Sequence, residues 1–206
     1  MANKDNSKFD VDNILSNEVL PLTLSAHSVT LRPVVISQDF PILFRFRTDP
    51  QYLHLWHLDP YIPTFEKYAA QMEQMFDTFF DSFMMVETDN ADVPIGFVYS
   101  YDMNRINGYT FACTFVTSLR RGKGAIATVL FMDYLFKTIP LRKIYVDVLA
   151  YNHLSLKTCL NGGFIKEGCF KQHHWFGDRY WDMYRLALYR DAFPALRKRV
   201  IRGSVT

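Results

Sequence analysis

Residues 109–137 read YTFACTFVTSLRRGKGAIATVLFMDYLFK, and their order decides the fold. Tyr109–Thr117 is β-branched and aromatic, and short enough to be a buried strand. Leu119–Gly124 is a basic loop in which Gly122 and Gly124 let the backbone fold tightly and approach a ligand. Ala125–Lys137 is an apolar helical run that Pro140 ends. A helix start leaves its first N–H groups without partners, and its dipole favours negative charge. Arg120, Arg121 and Lys123 add mobile positive charge at that rim. Phosphate or pyrophosphate is the natural guest; a solvated basic turn is the structural alternative. The loop has neither the spacing and terminal Lys-Ser/Thr of a nucleotide P-loop nor the G-x-G-x-x-G fingerprint.

The flanks extend the pattern. Upstream, Ser28–Val35 alternates as a strand, and Ser37 and Asp39 offer N-cap chemistry for a helix near Phe40–Arg47. Asp49–Pro63 contains three prolines and reads as a structured loop. Thr64 then opens an amphipathic helix running to about Asp81. Phe83–Glu87 is a short strand, residues 89–92 a polar turn, and Val93–Tyr101 a strand joined to Tyr109–Thr117 through Asn104–Gly108. Downstream, Lys143–Leu149 is a strand and Asn152–Asn161 a helix closed by Gly162 and Gly163 in left-handed geometry. Phe164–Phe170 and Tyr180–Leu188 are strands around a turn at Gly177-Asp178, and Tyr189–Ile201 is a terminal helix. The order β-α-α-β-β-β-α-β-α-β-β describes an α/β (α+β) protein, a mixed sheet with helices on its faces. Residues 1–25 read as a loose N-terminal arm before one domain over 26–206, a length that suits a single core.

Composition narrows the partners. A hydrophobic share of 49% excludes wholesale disorder. Lys+Arg 23 against Asp+Glu 21 is too balanced for a nucleic-acid binder, which needs a clustered basic excess. No stretch approaches the ~18 apolar residues of a membrane span, and the N-terminus has no apolar run behind a positive start. Cys113, Cys159 and Cys169 lack metal-type spacing. The expectation is a cytoplasmic protein without a metal, a membrane or a nucleic-acid partner, as a monomer or homodimer. The outlier is the aromatic share of 16%. Aromatic side chains fill cores and also line ligand pockets. A dense group falls at Tyr52, Trp56 and Tyr61 with His54 and His57, and another at His173, His174, Trp175 and Phe176.

Arg121-Gly122-Lys123-Gly124 opening a helix, a strand ending at Asn152, Ser155 three residues on, and Gly163-Phe164 closing the next helix together resemble the GNAT superfamily of N-acetyltransferases. Gly177 through Asp182 to Leu188 on the last hairpin is similar to the RimJ/RimL branch. The resemblance covers about Val29 to Phe193. It implies a single-domain GNAT fold with a splayed, mostly antiparallel mixed sheet, and acetyl-CoA as co-substrate. The implied coenzyme contacts are Phe115, Val116 and Thr117 for the pantetheine arm. The pyrophosphate falls to Leu119, Arg121, Gly122, Lys123, Gly124 and Ala125, while Asn152 and Ser155 line the channel. The family loop usually reads R-x-x-G-x-G/A, but the last small position is Ile126 here. Either the grip is weaker or the helix start is shifted by one residue.

Acetyl transfer to an amine needs a base for the amine, a stabilised oxyanion and an acid for the leaving thiolate. Asp147 alternates against Val146 and Val148, so its charge faces solvent, a cleft or a partner. A Glu at this spacing before the Asn is the base in some GNAT enzymes, which makes Asp147 the favoured base; a solvated strand charge is the alternative. Cys159 occupies the family's general-acid position, where a Tyr is common, and a small packing residue is the other reading. Asn152 also suits a helix N-cap. Where the branch often carries a strand Glu, this chain has Phe111, leaving Asp102, Glu167, Asp182 or a histidine as further bases, with Asp182 favoured for a structural bond. The resemblance puts the acceptor against Tyr52, His54, Trp56, His57 and Tyr61 from the early helices, and His174 and Trp175 from the last hairpin. The expected activity is direct acetyl transfer to a primary amine of a small molecule (amino sugar, nucleotide-linked amino sugar or aminoglycoside-like) or a peptide N-terminus. A longer acyl donor, or a non-catalytic acyl-CoA-binding module, is the alternative.

Overall fold

A computed structural model describes residues 23–56, 61–89, 91, 93–117 and 122–202. Strands β1 (Leu24–Ala26) and β2 (Val29–Pro33) precede three helices, α1 (Ile36–Thr48), α2 (Pro50–Trp56) and α3 (Phe65–Thr78). Then come β3 (Phe80–Thr88), β4 (Gly96–Asn104), β5 (Tyr109–Val116), α4 (Lys123–Thr138), β6 (Lys143–Leu149), α5 (His153–Asn161), β7 (Ile165–Phe176), β8 (Arg179–Tyr189) and α6 (Phe193–Arg202). The strands form one sheet in the order β1-β2-β3-β4-β5-β6-β8-β7. Every adjacent pair is antiparallel except β5 and β6.

Strand alternation sorts the side chains into two layers. On the back, Val98, Ala112, Ile144, Val148, Leu186 and Leu188 bury against Phe131, Met132 and Leu135 of α4 and Phe193 and Leu196 of α6. On the front, Met85, Phe97 and Phe115 bury against Phe40, Leu43 and Phe46 of α1, Tyr52 of α2, and Tyr68 and Met72 of α3. The entry to α1 is fixed electrostatically. Arg32 grips the fully buried Asp39 with two nitrogens at 2.6 and 2.8 Å and reaches Glu87 at 2.6 Å, while Asp39 also accepts from the Val35 N–H at 2.7 Å. That buried charge is tolerable because it is fully paired.

Several expectations are corrected. Asp49–Pro63 is not all loop: α2 occupies its first half. Asp49 Oδ1 accepts from the Gln51 N–H at 2.9 Å and Pro50 fills the first helical position, where its missing N–H costs nothing. Helix α3 ends at Thr78 rather than near Asp81, because β3 starts at Phe80. Helix α4 starts at Lys123, not Ala125, so Gly124 belongs to its first turn. Of the two glycines after α5, only Gly163 is left-handed. Strand β7 runs on through Phe176, and α6 begins at Phe193. Leu24 and Ser25 of the expected arm are in β1, paired with Leu31 and Thr30.

Candidate active site

Strands β5 and β6 pair at three positions only, Tyr109 with Lys143, Thr110 with Ile144 and Phe111 with Tyr145. Beyond Phe111, β5 stays paired to β4 as far as Val116, and β6 stays paired to β8 as far as Leu149. Each strand is therefore held on its outer edge while the two facing edges part. The opening is a wedge whose facing edges share no ladder pairing among the described residues, the kind of edge an extended ligand can pair with.

Helix α4 begins at the open end of this wedge. Its N-cap Gly122 has φ of 78°, and a side chain there would meet nothing within 4 Å. The first helical bond is from Ile126 N–H to Gly122 O, 3.2 Å. The N–H groups of Lys123, Gly124 and Ala125 are thus the ones the helix leaves unpaired. Gly124 lies beside Val116, the last residue of β5. Ile126 turns inward and is 5% exposed. The bulk that stands at the family's small position is therefore in the core and not at the unpaired helix start. Lys123 sends its ammonium to the Ser28 hydroxyl between β1 and β2. Leu119, Arg120 and Arg121 lie outside the described residues, as does His57.

At the other wall, Asn152 is the N-cap of α5, its Oδ1 accepting from the Ser155 N–H at 3.2 Å. Ser155 is half-buried on that first turn. Cys159, one of the expected catalytic residues, packs with Leu156 against the back core, and burial pushes its thiol up to about 11.

The front face around the wedge is a carpet of rings. Phe83, Tyr99, Tyr101, Phe111 and Tyr145 follow one another at centroid distances of 5.6, 5.8, 5.3 and 5.2 Å. Burial first, and the Asp147 charge second, raise the Tyr101 hydroxyl. Cys113 is the register partner of Tyr99 across β4 and β5, and burial pushes its thiol up to about 11. Within this carpet stands one ion pair. Asp147 on β6 accepts from Arg185 Nε at 3.0 Å and Nη2 at 2.8 Å, the two residues being register partners across β6 and β8. The guanidinium lies 4.5 Å from the Phe111 ring and 5.0 Å from Phe170. Phe111, at the position where a strand carboxylate was absent, thus serves as a face for the cation that holds the carboxylate next door.

The expected acceptor residues divide. His54 stacks on Phe176 at 5.1 Å, and Tyr151 packs 4.6 Å from Phe176 and 6.2 Å from His174. The Tyr151 hydroxyl donates to the His54 carbonyl at 2.6 Å. Burial, then the neighbouring His173, lower His174. Tyr52 instead packs edge-on to Phe115 at 5.5 Å and is buried. Helix α2 consequently bridges the open end of the wedge, with Tyr52 over the β5 wall and His54 against the segment after β6. Tyr61 and Trp175 stand apart, each more than half exposed, with Tyr61 near Lys67 and Trp175 on Tyr180. The Trp56 side chain is outside the described residues.

A family model described as "Acetyltransferase (GNAT) domain" matches residues 28–165. The protein belongs to the GNAT acetyltransferase family. Solved GNAT structures agree with the fold. Spermidine N-acetyltransferase from Vibrio cholerae, in complex with CoA and spermine, is 21% identical with a TM-score of 0.72, covering 81% of this chain and 98% of its own. RimJ from Mycobacterium smegmatis, in complex with CoA-disulfide, is 19% identical with a TM-score of 0.72, covering 89% and 96%. RimL, a ribosomal L7/L12 α-N-protein acetyltransferase, is 14% identical with a TM-score of 0.67, covering 82% and 94%. No curated protein sequence matches the chain.

Two of the other candidate bases of this GNAT domain, Glu167 and Asp182, are engaged elsewhere. Glu167 accepts from Lys143, Tyr145 and Tyr189 at 2.7, 2.8 and 2.5 Å. Asp182 accepts from the Gln172 N–H and Lys171 at 2.9 Å, the structural bond expected of it. Asp102 is exposed at a bulge with φ of 53°. Arg185 and Tyr151 were not among the expected site residues. Tyr151 had a signal, a polar-tipped ring directly before Asn152, whereas Arg185 needs the β6–β8 register to be seen. Depressions of about 400 and 540 Å³ near Pro140 and Arg190 lie at the far end of α4 and hold no such constellation. Among the described residues no group of His, Cys, Asp and Glu is arranged to hold a metal, and no helix is long and apolar enough to cross a membrane.

Proposed function

We propose that this GNAT domain transfers acetyl from acetyl-CoA directly to a primary amine seated on the front face of the β5–β6 wedge. The observation that carries the reading is the meeting of three features: parted strand edges, the unpaired start of α4 beside Val116, and the Asp147 carboxylate on the adjoining face. Bound acetyl-CoA supplies an activated acetyl thioester. The N–H groups of Lys123, Gly124 and Ala125 fit its pyrophosphate, because the glycine at the cap leaves the approach open. Arg121 and Leu119 directly precede that cap in the sequence and are assigned to the same contact. The backbone of Phe115, Val116 and Thr117 suits the pantetheine arm, with Asn152 and Ser155 across the wedge.

Asp147 is the base in this reading. An ionised carboxylate has about four lone-pair sites, and Arg185 uses two. The others can take the amine's proton while Arg185 keeps the group fixed. Cys159, turned to the back core, is assigned to packing rather than proton donation. Spermine and CoA in the Vibrio cholerae relative, and the protein N-terminus named for RimL, support a primary amine on a small molecule or a peptide. Thermal shift across CoA, acetyl-CoA and longer acyl-CoAs tests the donor. Stabilisation that is largest with acetyl-CoA supports the reading; no response to any of them overturns it.

A further inference from the structure

The Asp147–Arg185 pair leaves half of the guanidinium unused. Arg185 has two hydrogen-bonding forks, and Asp147 occupies the side-on one, Nε with Nη2. No described residue hydrogen-bonds Nη1, so the end-on fork remains open to a second oxyanion. The side chain is 32% exposed, against 16% for Asp147, and its guanidinium lies 4.5 and 5.0 Å from the rings of Phe111 and Phe170. A planar guanidinium held this way binds a carboxylate through two parallel N–H bonds. The pair faces the ring carpet of Tyr101, Phe111 and Tyr145, and the carboxylate at the edge of that carpet, Glu167 on the Tyr145 hydroxyl, is already paired with Lys143.

Resting on the reading of Asp147 as the amine's partner, we infer that Arg185 is a specificity residue and that the acceptor is an α-amino carboxylate. The ammonium meets Asp147, and the carboxylate meets the open fork one guanidinium away. Because the two sites are adjacent, the acceptor's charges must be adjacent too. A polyamine meets a cation where the second charge should go, and an amino acid amide loses the anion.

The test uses matched sets for several side chains, such as L-phenylalanine, L-phenylalaninamide and phenethylamine, assayed with acetyl-CoA. The full chain should acetylate the amino acid at least about tenfold more efficiently than its amide or the bare amine, the size expected for one charged hydrogen-bonded pair. Arg185→Gln should bring that ratio toward one whatever the common loss in rate, and Arg185→Lys should give an intermediate ratio. Calorimetric CoA affinity and the unfolding midpoint establish that each variant is folded. The wild-type preference decides alone if Arg185→Gln fails to fold. Amide or bare amine used as well as the amino acid, or a ratio unmoved in folded Arg185→Gln, overturns the inference and leaves acetyl transfer standing. No acetylation in any set, with acetyl-CoA bound, overturns this inference, and the acetyl-transfer reading falls with it only if amino sugars and peptide N-termini are left unacetylated as well.

Discussion

The His54 ring lies parallel to that of Phe176, 5.1 Å away at an interplanar angle of 10°, and so ties α2 to the β7–β8 hairpin. The Tyr151 hydroxyl completes the tie by donating to the His54 carbonyl. Burial raises that hydroxyl to about 12, so the bond keeps its donor throughout the neutral range.

This tie predicts a separation of acceptor and coenzyme effects. Tyr151→Phe keeps the ring contacts and deletes the bond to α2. The acceptor KM should rise about fivefold, the scale of one hydrogen bond, with coenzyme Kd unchanged. Steady-state kinetics beside calorimetry checks both numbers. Equal changes in the two would mean that α2 does not cover the acceptor.

Asp147→Asn keeps the size of the side chain and removes its capacity as a base. A fall in kcat of about 100-fold is expected, with coenzyme affinity nearly intact. The variant must be checked for folding, since Arg185 loses its anionic partner. Unchanged kcat in a folded variant removes Asp147 from the chemistry.

Glu167 predicts an acid limb in stability. Burial works to raise this carboxyl, but the bonds from Lys143, Tyr189 and Tyr145 prevail and hold it down to about 2, from an ordinary 4.5. A folded pKa below the unfolded one adds stability above about 4.5 that is lost as pH falls toward 2. The unfolding midpoint of the wild type should drop through that window, and Glu167→Gln should flatten part of the drop. An identical acid slope in the variant would contradict the cluster's role.

Gly96 predicts a link between packing and the wedge. A methyl group there would overlap the Phe115 carbonyl oxygen and come within 2.8 Å of Val116 Cα. Backbone must move, and the segment that moves is the β5 wall. Gly96→Ala should lower the unfolding midpoint by several degrees, as for a loss of about 1–2 kcal/mol, and weaken coenzyme binding together with it. Weaker folding with full coenzyme affinity would show that the end of β5 is not a coenzyme wall.

Much of this architecture is legible in the sequence because it is local. Lys143–Leu149 alternates, and its bounds match β6; the apolar run after Gly124 marks α4, although the helix starts two residues earlier. Asp49-Pro50 was legible as a helix start too, but three prolines in one segment point to a loop, and only the Asp49–Gln51 bond resolves the conflict. The aromatic surplus is legible in amount and only partly in place. Two groups of rings do meet at His54 and Phe176, while a larger share carpets β3 to β6 through alternation on four strands. Arg185 was not legible, since its meaning lies in facing Asp147 across a pairing of distant strands.

Acetyl transfer to an amine is the activity proposed for this wedge. The most direct measurement follows free thiol and N-acetylated product together, during incubation of the full chain with acetyl-CoA and a panel of primary amines including amino acids, amino sugars and peptide N-termini. Thiol and acetylated amine should appear in equal amounts for at least one acceptor, and both should be lost with Asp147→Asn. Acetyl-CoA that binds but yields neither product with any amine would contradict that proposal.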